Sequence, residues 1–182
     1  MKLLLAGALA GALVHISPTV VLVKHPDAVK QLLPGADRFL AREYHLSDRD
    51  AHRLHEDARD WSPENDVLTF YVGKQGGGEV GALEFMRIDT PHGPLEIAVG
   101  FTPERTVRGV LVTKATVETR PWVLAVLAAG LTEHYRGLKV TDTPNGAGAL
   151  KDKVGEMPDY MAHHVDEGVS RALAAYRDFY KS

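Results

Sequence analysis

Two pairs of histidines come closest, by spacing, to metal chemistry in this chain. His52 and His55 lie one helical turn apart, a separation at which two imidazoles can share a metal or an axial haem position. Two ligands without a third make a weak metal site, and the plainer account has His55 closing a modest apolar stripe while His52 is solvated among Asp and Arg neighbours. His163 and His164 are adjacent, so on a helix they point about 100° apart and do not easily chelate one ion; one is expected to pack and the other to face solvent. Gly76-Gly77-Gly78 has the composition of a phosphate cradle. No helix follows to lend it an N-terminal dipole, so it reads as a hairpin connection. Neither H-x-H, H-E-x-x-H nor G-x-S-x-G occurs, and no pair of catalytic carboxylates stands out, which leaves metalloenzyme and hydrolase chemistry with little support. Cysteine is absent, which removes disulfides, thiolate metal sites, Fe–S clusters and c-type haem attachment. Redox chemistry would have to come from a bound organic cofactor or a His-ligated metal.

The elements that must position such groups begin with the totals. With 182 residues, 45% hydrophobic and 25% charged, the chain holds one globular domain with a core of its own plus a further segment. A formal net charge of −3 without a long basic run sets a nucleic-acid surface aside. The further segment is Leu3 to Val23, where His15, Ser17 and Thr19 are the only polar residues before Lys24. About 20 apolar residues span a bilayer as a helix, so residues 3–23 are expected to be a retained transmembrane anchor, with 1–24 as the anchor segment and 25–182 as a single domain. With Lys2 on the cytoplasmic side, that domain would sit on the periplasmic side of the inner membrane. Two alternatives stay open: a cleaved signal peptide, which would leave a secreted periplasmic protein, and a buried core helix. The run is longer than a usual signal core and Ala8-Leu9-Ala10 comes too early for cleavage, whereas Pro18 would break a helix near where a signal ends.

Within the body, Asp27 is placed to cap a short helix over AVKQLL that Pro34-Gly35 ends, and Ser47 to open a second over SDRDAHRLHEDARDW with Asp48 and Asp50 in its first turn. Four runs rich in β-branched and aromatic residues follow: VLTFYVG, EVGALEFMRI, LEIAVGF and TVRGVLVTKATVE, separated by Gly/Pro turns. Pro121 then suits the first position of a helix with Thr119 as its cap; WVLAVLAAGLTEHY reads as one helix burying Val123, Leu124, Leu127, Ala128 and Leu131. TDTPNGAGALKDKVGEMP is loop-rich, and after Pro158 a long helix carries Met161, Val165, Val169 and Leu173 at a spacing of four. The fold class is α+β: an antiparallel sheet of four or more strands with flanking helices, preceded by the membrane helix.

The order of these segments resembles the FMN-binding domain family, which includes flavin-carrying subunits of the Rnf and Nqr ion-pumping complexes and related extracytoplasmic redox domains. VKQLLPGADRFL resembles the family's opening segment. EVGALEFMRIDTPHGPLEIAVGFTPERTVRGVLV resembles its strands, and VETRPWVLAVLAAGLTEHYRGLKV its Glu-Thr turn, helix and closing Gly-Lys region. The resemblance covers most of the chain after residue 24.

It also marks departures. The family's covalent carriers esterify FMN to the threonine of a Ser/Thr-Gly-Ala-Thr motif; here the corresponding loop is Asn145-Gly146-Ala147-Gly148, and no Ser or Thr occurs between Pro144 and Val169. The family's Glu-Thr-Pro-Gly turn is here Glu118-Thr119-Arg120-Pro121-Trp122, with bulk where backbone would approach a ring. The resemblance therefore implies no covalent flavin. It implies a non-catalytic accessory subunit of a respiratory or photosynthetic electron-transfer complex in the membrane, using its fold for protein contacts. The alternative is a redox carrier holding FMN noncovalently at Glu118, Thr119, Arg120, Trp122 and Asn145, with Arg120 on the phosphate and Trp122 on the ring. Against that stands Trp122 packing on the sheet and Arg120 as a surface charge.

Overall fold

The computed structural model describes residues 17–57 and 61–180. Six antiparallel strands, β1 (Thr19–Val21), β2 (Arg38–His45), β3 (Val67–Gln75), β4 (Gly78–Thr90), β5 (Gly93–Phe101) and β6 (Val107–Thr116), form one sheet in the order β1-β6-β5-β4-β3-β2. The helices are α1 (His25–Leu32), α2 (Asp48–Asp57), α3 (Arg120–Ala128), α4 (Gly146–Leu150) and α5 (Glu156–Phe179). The expected α+β class, an antiparallel sheet of four or more strands with flanking helices, is what forms, and the sheet has six strands.

Strands β3 to β6 are the four apolar runs, joined by hairpins whose register is continuous from β4 through β5. At the first of these hairpins Gly76 and Gly77 both take positive φ, 55° and 87°, the backbone that a tight two-residue hairpin requires. The triplet is thus a turn, as its lack of a following helix suggested. One sheet face carries α1 over a small cluster of Ala28, Leu32, Leu33, Leu83 and Ala98. The other carries α3, α4 and α5 over the main core. Both helix layers sit close because glycines admit them. A Cβ on Gly100 would come within 2.8 Å of the Leu32 side chain, and one on Gly168 of α5 within 2.7 Å of Ile88. At its C-terminal end α5 stacks Tyr176 on Phe101 at 4.0 Å and on Tyr180 at 4.5 Å, and the Tyr180 hydroxyl donates to Glu79.

Four sequence expectations change. The helix expected over residues 3–23 does not include Ser17–Val23: Thr19–Val21 pair with Thr116–Lys114 as an edge strand, because β-branched residues beside the free edge of β6 gain a ladder there. Residues 3–16 of that expectation lie outside the described residues, and among the described residues no helix is long and apolar enough to cross a membrane. Second, α1 begins at His25, with Lys24 rather than Asp27 at its cap and Asp27 in its first turn. Third, the helix expected from Trp122 to Tyr135 stops at Ala128; Gly130 turns left-handed at φ 85°, and Leu131–Tyr135 continues as a 3-10 turn. Within α3 it is Val123 and Val126 that are buried, with Leu131 in the turn, while Leu124 is 44% exposed, Leu127 half-buried and Ala128 exposed, so three of the five residues expected on the buried face are not buried. Fourth, the loop-rich segment contains the short helix α4. Ser47 does open α2, its Oγ accepting from the Asp50 amide at 3.2 Å, and α5 buries Met161, Val165, Val169 and Leu173 as the spacing required.

Candidate functional site

The turn after β6 is closed by its own threonines. The Thr116 amide donates to Thr119 Oγ1 and the Thr119 amide to Thr116 Oγ1, each at 3.1 Å, and the two hydroxyls lie 2.9 Å apart. Thr116 Oγ1 donates to the His92 carbonyl at 3.0 Å, so the proton between the hydroxyls comes from Thr119. Thr119 is buried and makes no side-chain cap on α3, which corrects its expected role as cap: its hydroxyl faces back to Thr116. Glu118 meets His92 Nδ1 at 2.7 Å, and its amide donates to Ser17 Oγ at 3.3 Å. Arg120 is exposed and Trp122 half-buried against the main core.

From this turn a line of rings crosses to α5. Trp122 meets His92 edge-on at 5.1 Å, His92 meets Tyr160 at 5.7 Å, and Tyr160 meets His164 at 4.6 Å. His164 Nδ1 lies 3.0 Å from Glu167, which also takes a bond from Arg171. His163 is 65% exposed beside Asp159, so one of the adjacent histidines packs and the other faces solvent, as expected. His52 is exposed and paired with Glu56 at 3.7 Å. Among the described residues no group of three His, Asp or Glu is placed to hold a metal ion.

Asn145 stands at the far end of that line, on a cavity of about 660 Å³ shared with His163, His164, Asp166 and Glu167. The structure therefore links Glu118, Thr119 and Trp122 tightly and sets Asn145 apart from them behind the Tyr160 and His164 rings. Asp166 decides the chemistry of this end. Its carboxylate accepts from the Gly146 and Ala147 amides at 2.8 and 3.0 Å and from the Tyr135 hydroxyl at 2.8 Å. Burial, with the Asp166 carboxylate beside it, pushes the Tyr135 phenol far above its ordinary range, so this hydroxyl stays a donor. The free amides at the start of α4 are thus taken by an internal anion. An FMN phosphate would have to displace Asp166 and sit beside Glu167. This loop does not fit a flavin phosphate; Arg120, the phosphate contact expected for noncovalent FMN, belongs to the Glu118 turn and is exposed.

A second region was not singled out from the sequence. The hydrogen-bonded ladder between β3 and β4 covers only Tyr71–Gln75 against Gly78–Leu83. Beyond it β3 continues beside β2 down to Val67, and β4 beside β5 up to Thr90. Where the two strands part, a cavity of about 850 Å³ opens. Glu84 of β4 lies on it, 4% exposed, with its Oε2 buried and without a hydrogen-bond partner. Burial raises its carboxyl well above the ordinary carboxylate range. The one trace in the sequence is a lone carboxylate inside the apolar run Ala82-Leu83-Glu84-Phe85-Met86, apolar on both strand faces where a solvated glutamate would sit among polar neighbours on its own face.

On the sheet's other side Glu96 is the opposite case. Burial alone would raise it, but bonds from His25, Lys114 and Thr113 at 2.6, 2.9 and 2.7 Å hold it below the ordinary range. His25 is the first residue of α1 and stacks on Phe85 at 4.0 Å, so this ionic knot fastens α1 to the sheet beside the cleft. Neither any family model nor any curated protein matches this sequence.

Proposed function

We propose that the chain is a non-catalytic, membrane-anchored accessory subunit of a respiratory or photosynthetic electron-transfer complex, with its globular part on the periplasmic side of the inner membrane and an FMN-binding-like fold used for protein contacts. The observation that carries this reading is Asp166: the amides of the loop that would hold the flavin phosphate are bound by the chain's own carboxylate. A site filled from within leaves the surface as the functional part. Several apolar side chains are available there. Val117 is 54% exposed and Leu124 44% exposed, at the end where Ser17 bonds the Glu118 amide and the chain before Ser17 joins the domain. At the opposite edge β2 offers Phe39 and Leu40, both exposed, along an open strand, which is a ready ladder for a partner's strand.

The test is purification of the native complex from membranes, with the intact mass of this chain and the absorbance spectrum of its separated fraction. The expected result is co-purification with redox subunits, a mass equal to the unmodified sequence with residues 3–23 retained, and flavin well below one equivalent. A chain recovered alone, yellow, and carrying one FMN would overturn the reading in favour of a noncovalent redox carrier.

A further inference from the structure

The two edges of the sheet differ in what they leave open. β1 is three residues long, whereas β2 pairs with β3 over eight consecutive residues without a register shift and forms the opposite edge. Proline, a bulge or a covering element usually blunts such an edge. β2, RFLAREYH, has no proline and no bulge, and it is exposed apart from half-buried Arg42 and Tyr44. The Leu46 amide donates to the Asp66 carbonyl at 2.8 Å, one step past the pair His45–Val67. Backbone groups alternate in direction along a strand, so the even-numbered residues of β2 face β3, while Phe39, Ala41, Glu43 and His45 turn their N–H and C=O groups outward. Side chains alternate too. Tyr44 meets Phe70 at 5.8 Å and Arg42 lies 5.2 Å over the Tyr180 ring, so the main-core face of this edge carries Arg38, Leu40, Arg42 and Tyr44. Phe39, Ala41, Glu43 and His45 lie on the other face. Arg38 and Arg42 thus make a cationic stripe with no carboxylate on their face of the strand, in a chain whose formal net charge is −3.

We infer that this edge binds an extended, acidic segment of a partner protein, which joins β2 as a further strand with carboxylates beside Arg38 and Arg42 and apolar side chains beside Phe39 and Ala41. The inference rests on the accessory role proposed above and gives the chemistry of its contact. Outward N–H and C=O groups at alternate residues are matched by the main chain of an extended segment. Charge then selects among extended segments, because opposite charges facing each other across a ladder attract and like charges repel. A second copy of this chain meets that condition badly: two antiparallel copies of β2 lie with the same faces side by side, so Arg38 and Arg42 would stand beside another pair of arginines. Residues 1–16 contain no Asp or Glu, so they do not match the stripe either. Phe39 and Leu40, 40% and 45% exposed, add apolar area on both faces for the incoming strand to cover.

The test follows amide exchange by NMR in the full chain, alone and with short peptides that alternate valine with glutamate, with serine or with lysine. With the glutamate peptide, exchange at the outward amides of Phe39, Ala41 and Glu43 is expected to slow about fivefold, while the Leu40 and Arg42 amides, which face β3, stay unchanged. The serine peptide should bind about fivefold more weakly than the glutamate peptide, and the lysine peptide more weakly still. Ala41→Pro removes one outward N–H, spares the ladder to β3, and should weaken the glutamate peptide about tenfold. Arg38→Glu should bring the glutamate and serine peptides to equal affinity. Thermal melts establish that both variants are folded. No slowing with any peptide, serine or lysine binding as tightly as glutamate, or unchanged binding by Ala41→Pro would each overturn the inference. Slow exchange at the same amides in the chain alone would overturn it too, in favour of a second copy if it grows with protein concentration and of residues 1–16 if it does not. Failure of the peptides leaves co-purification with redox subunits as it stands, whereas a chain recovered alone from membranes that still binds the glutamate peptide removes the accessory role and keeps the edge.

Discussion

Two regions of this molecule handle buried polar groups in opposite ways. Around Asp166 two amides and a phenol converge on one carboxylate, and at the other end of the line of rings the Thr116 and Thr119 hydroxyls are used on each other. In the cleft between β3 and β4, Glu84 and Arg171 each keep a buried polar atom without a partner. The first arrangement spends its polar groups on holding α4 and α5 together and has little left for a ligand. The second carries a standing penalty. The Asn145 loop is thus held from within the chain, whereas the cleft leaves buried polar atoms uncompensated.

Three substitutions test that contrast, starting with the largest effect. Asp166→Ala leaves the Gly146 and Ala147 amides and the buried Tyr135 hydroxyl unsatisfied, and is expected to cost about 3 kcal/mol in denaturant unfolding, since bonds to a charged group are worth about 1.5–3 kcal/mol each and do not add fully. A loss below about 0.5 kcal/mol would mean that region is not the fastening described.

Glu84→Leu is expected to act in the opposite direction, raising stability by about 2 kcal/mol at neutral pH by removing an unpaired buried carboxyl. Its pH dependence follows from the direction of the shift. The native chain holds a proton that the unfolded chain releases, so wild-type stability falls as pH rises from the ordinary carboxyl range toward the raised native value. The leucine variant lacks that slope. The charged groups facing the same cleft, Arg171, Arg87, His25, Glu64 and Asp89, are present in both proteins, so the difference between the two unfolding curves isolates Glu84.

The smallest effect is expected for Glu96→Gln, about 1 kcal/mol at pH 7, because the carboxylate bonded to His25, Thr113 and Lys114 is replaced by an amide. Its sign with pH is the reverse of that for Glu84. A depressed native carboxyl stabilises fully above the ordinary range and loses that contribution as pH falls through the native value, so the variant should lose part of the acid limb of the stability profile. An unchanged acid limb would show that the knot under α1 is solvated rather than structural.

Much of the fold could be read from local pattern. The runs at Val67, Gly78, Gly93 and Val107 alternate or are continuously apolar between turn residues, and each became a strand, while the spacing of Met161, Val165, Val169 and Leu173 marked the buried face of α5. Edge strands were less legible. β2, RFLAREYH, is exposed along most of its length, so no buried face imposed an alternating pattern on it. β1 is three residues inside a longer apolar run, where strand and membrane helix share the same composition.

By itself, then, the sequence determined the α+β class, the order of the central hairpins, the exclusion of thiol chemistry and the lack of a hydroxyl acceptor in the Asn145 loop, because each depends on residue type or on spacing along the chain. Only the tertiary structure decided what fills that loop and where a polar group goes unpaired. Asp166 is twenty residues from the Gly146 amide it binds, and Glu84 lacks a partner because β3 leaves β4 at Tyr71. Both are facts of long-range packing. Whether a carboxylate is satisfied depends on which elements the fold brings against it, and no local pattern in the chain records that.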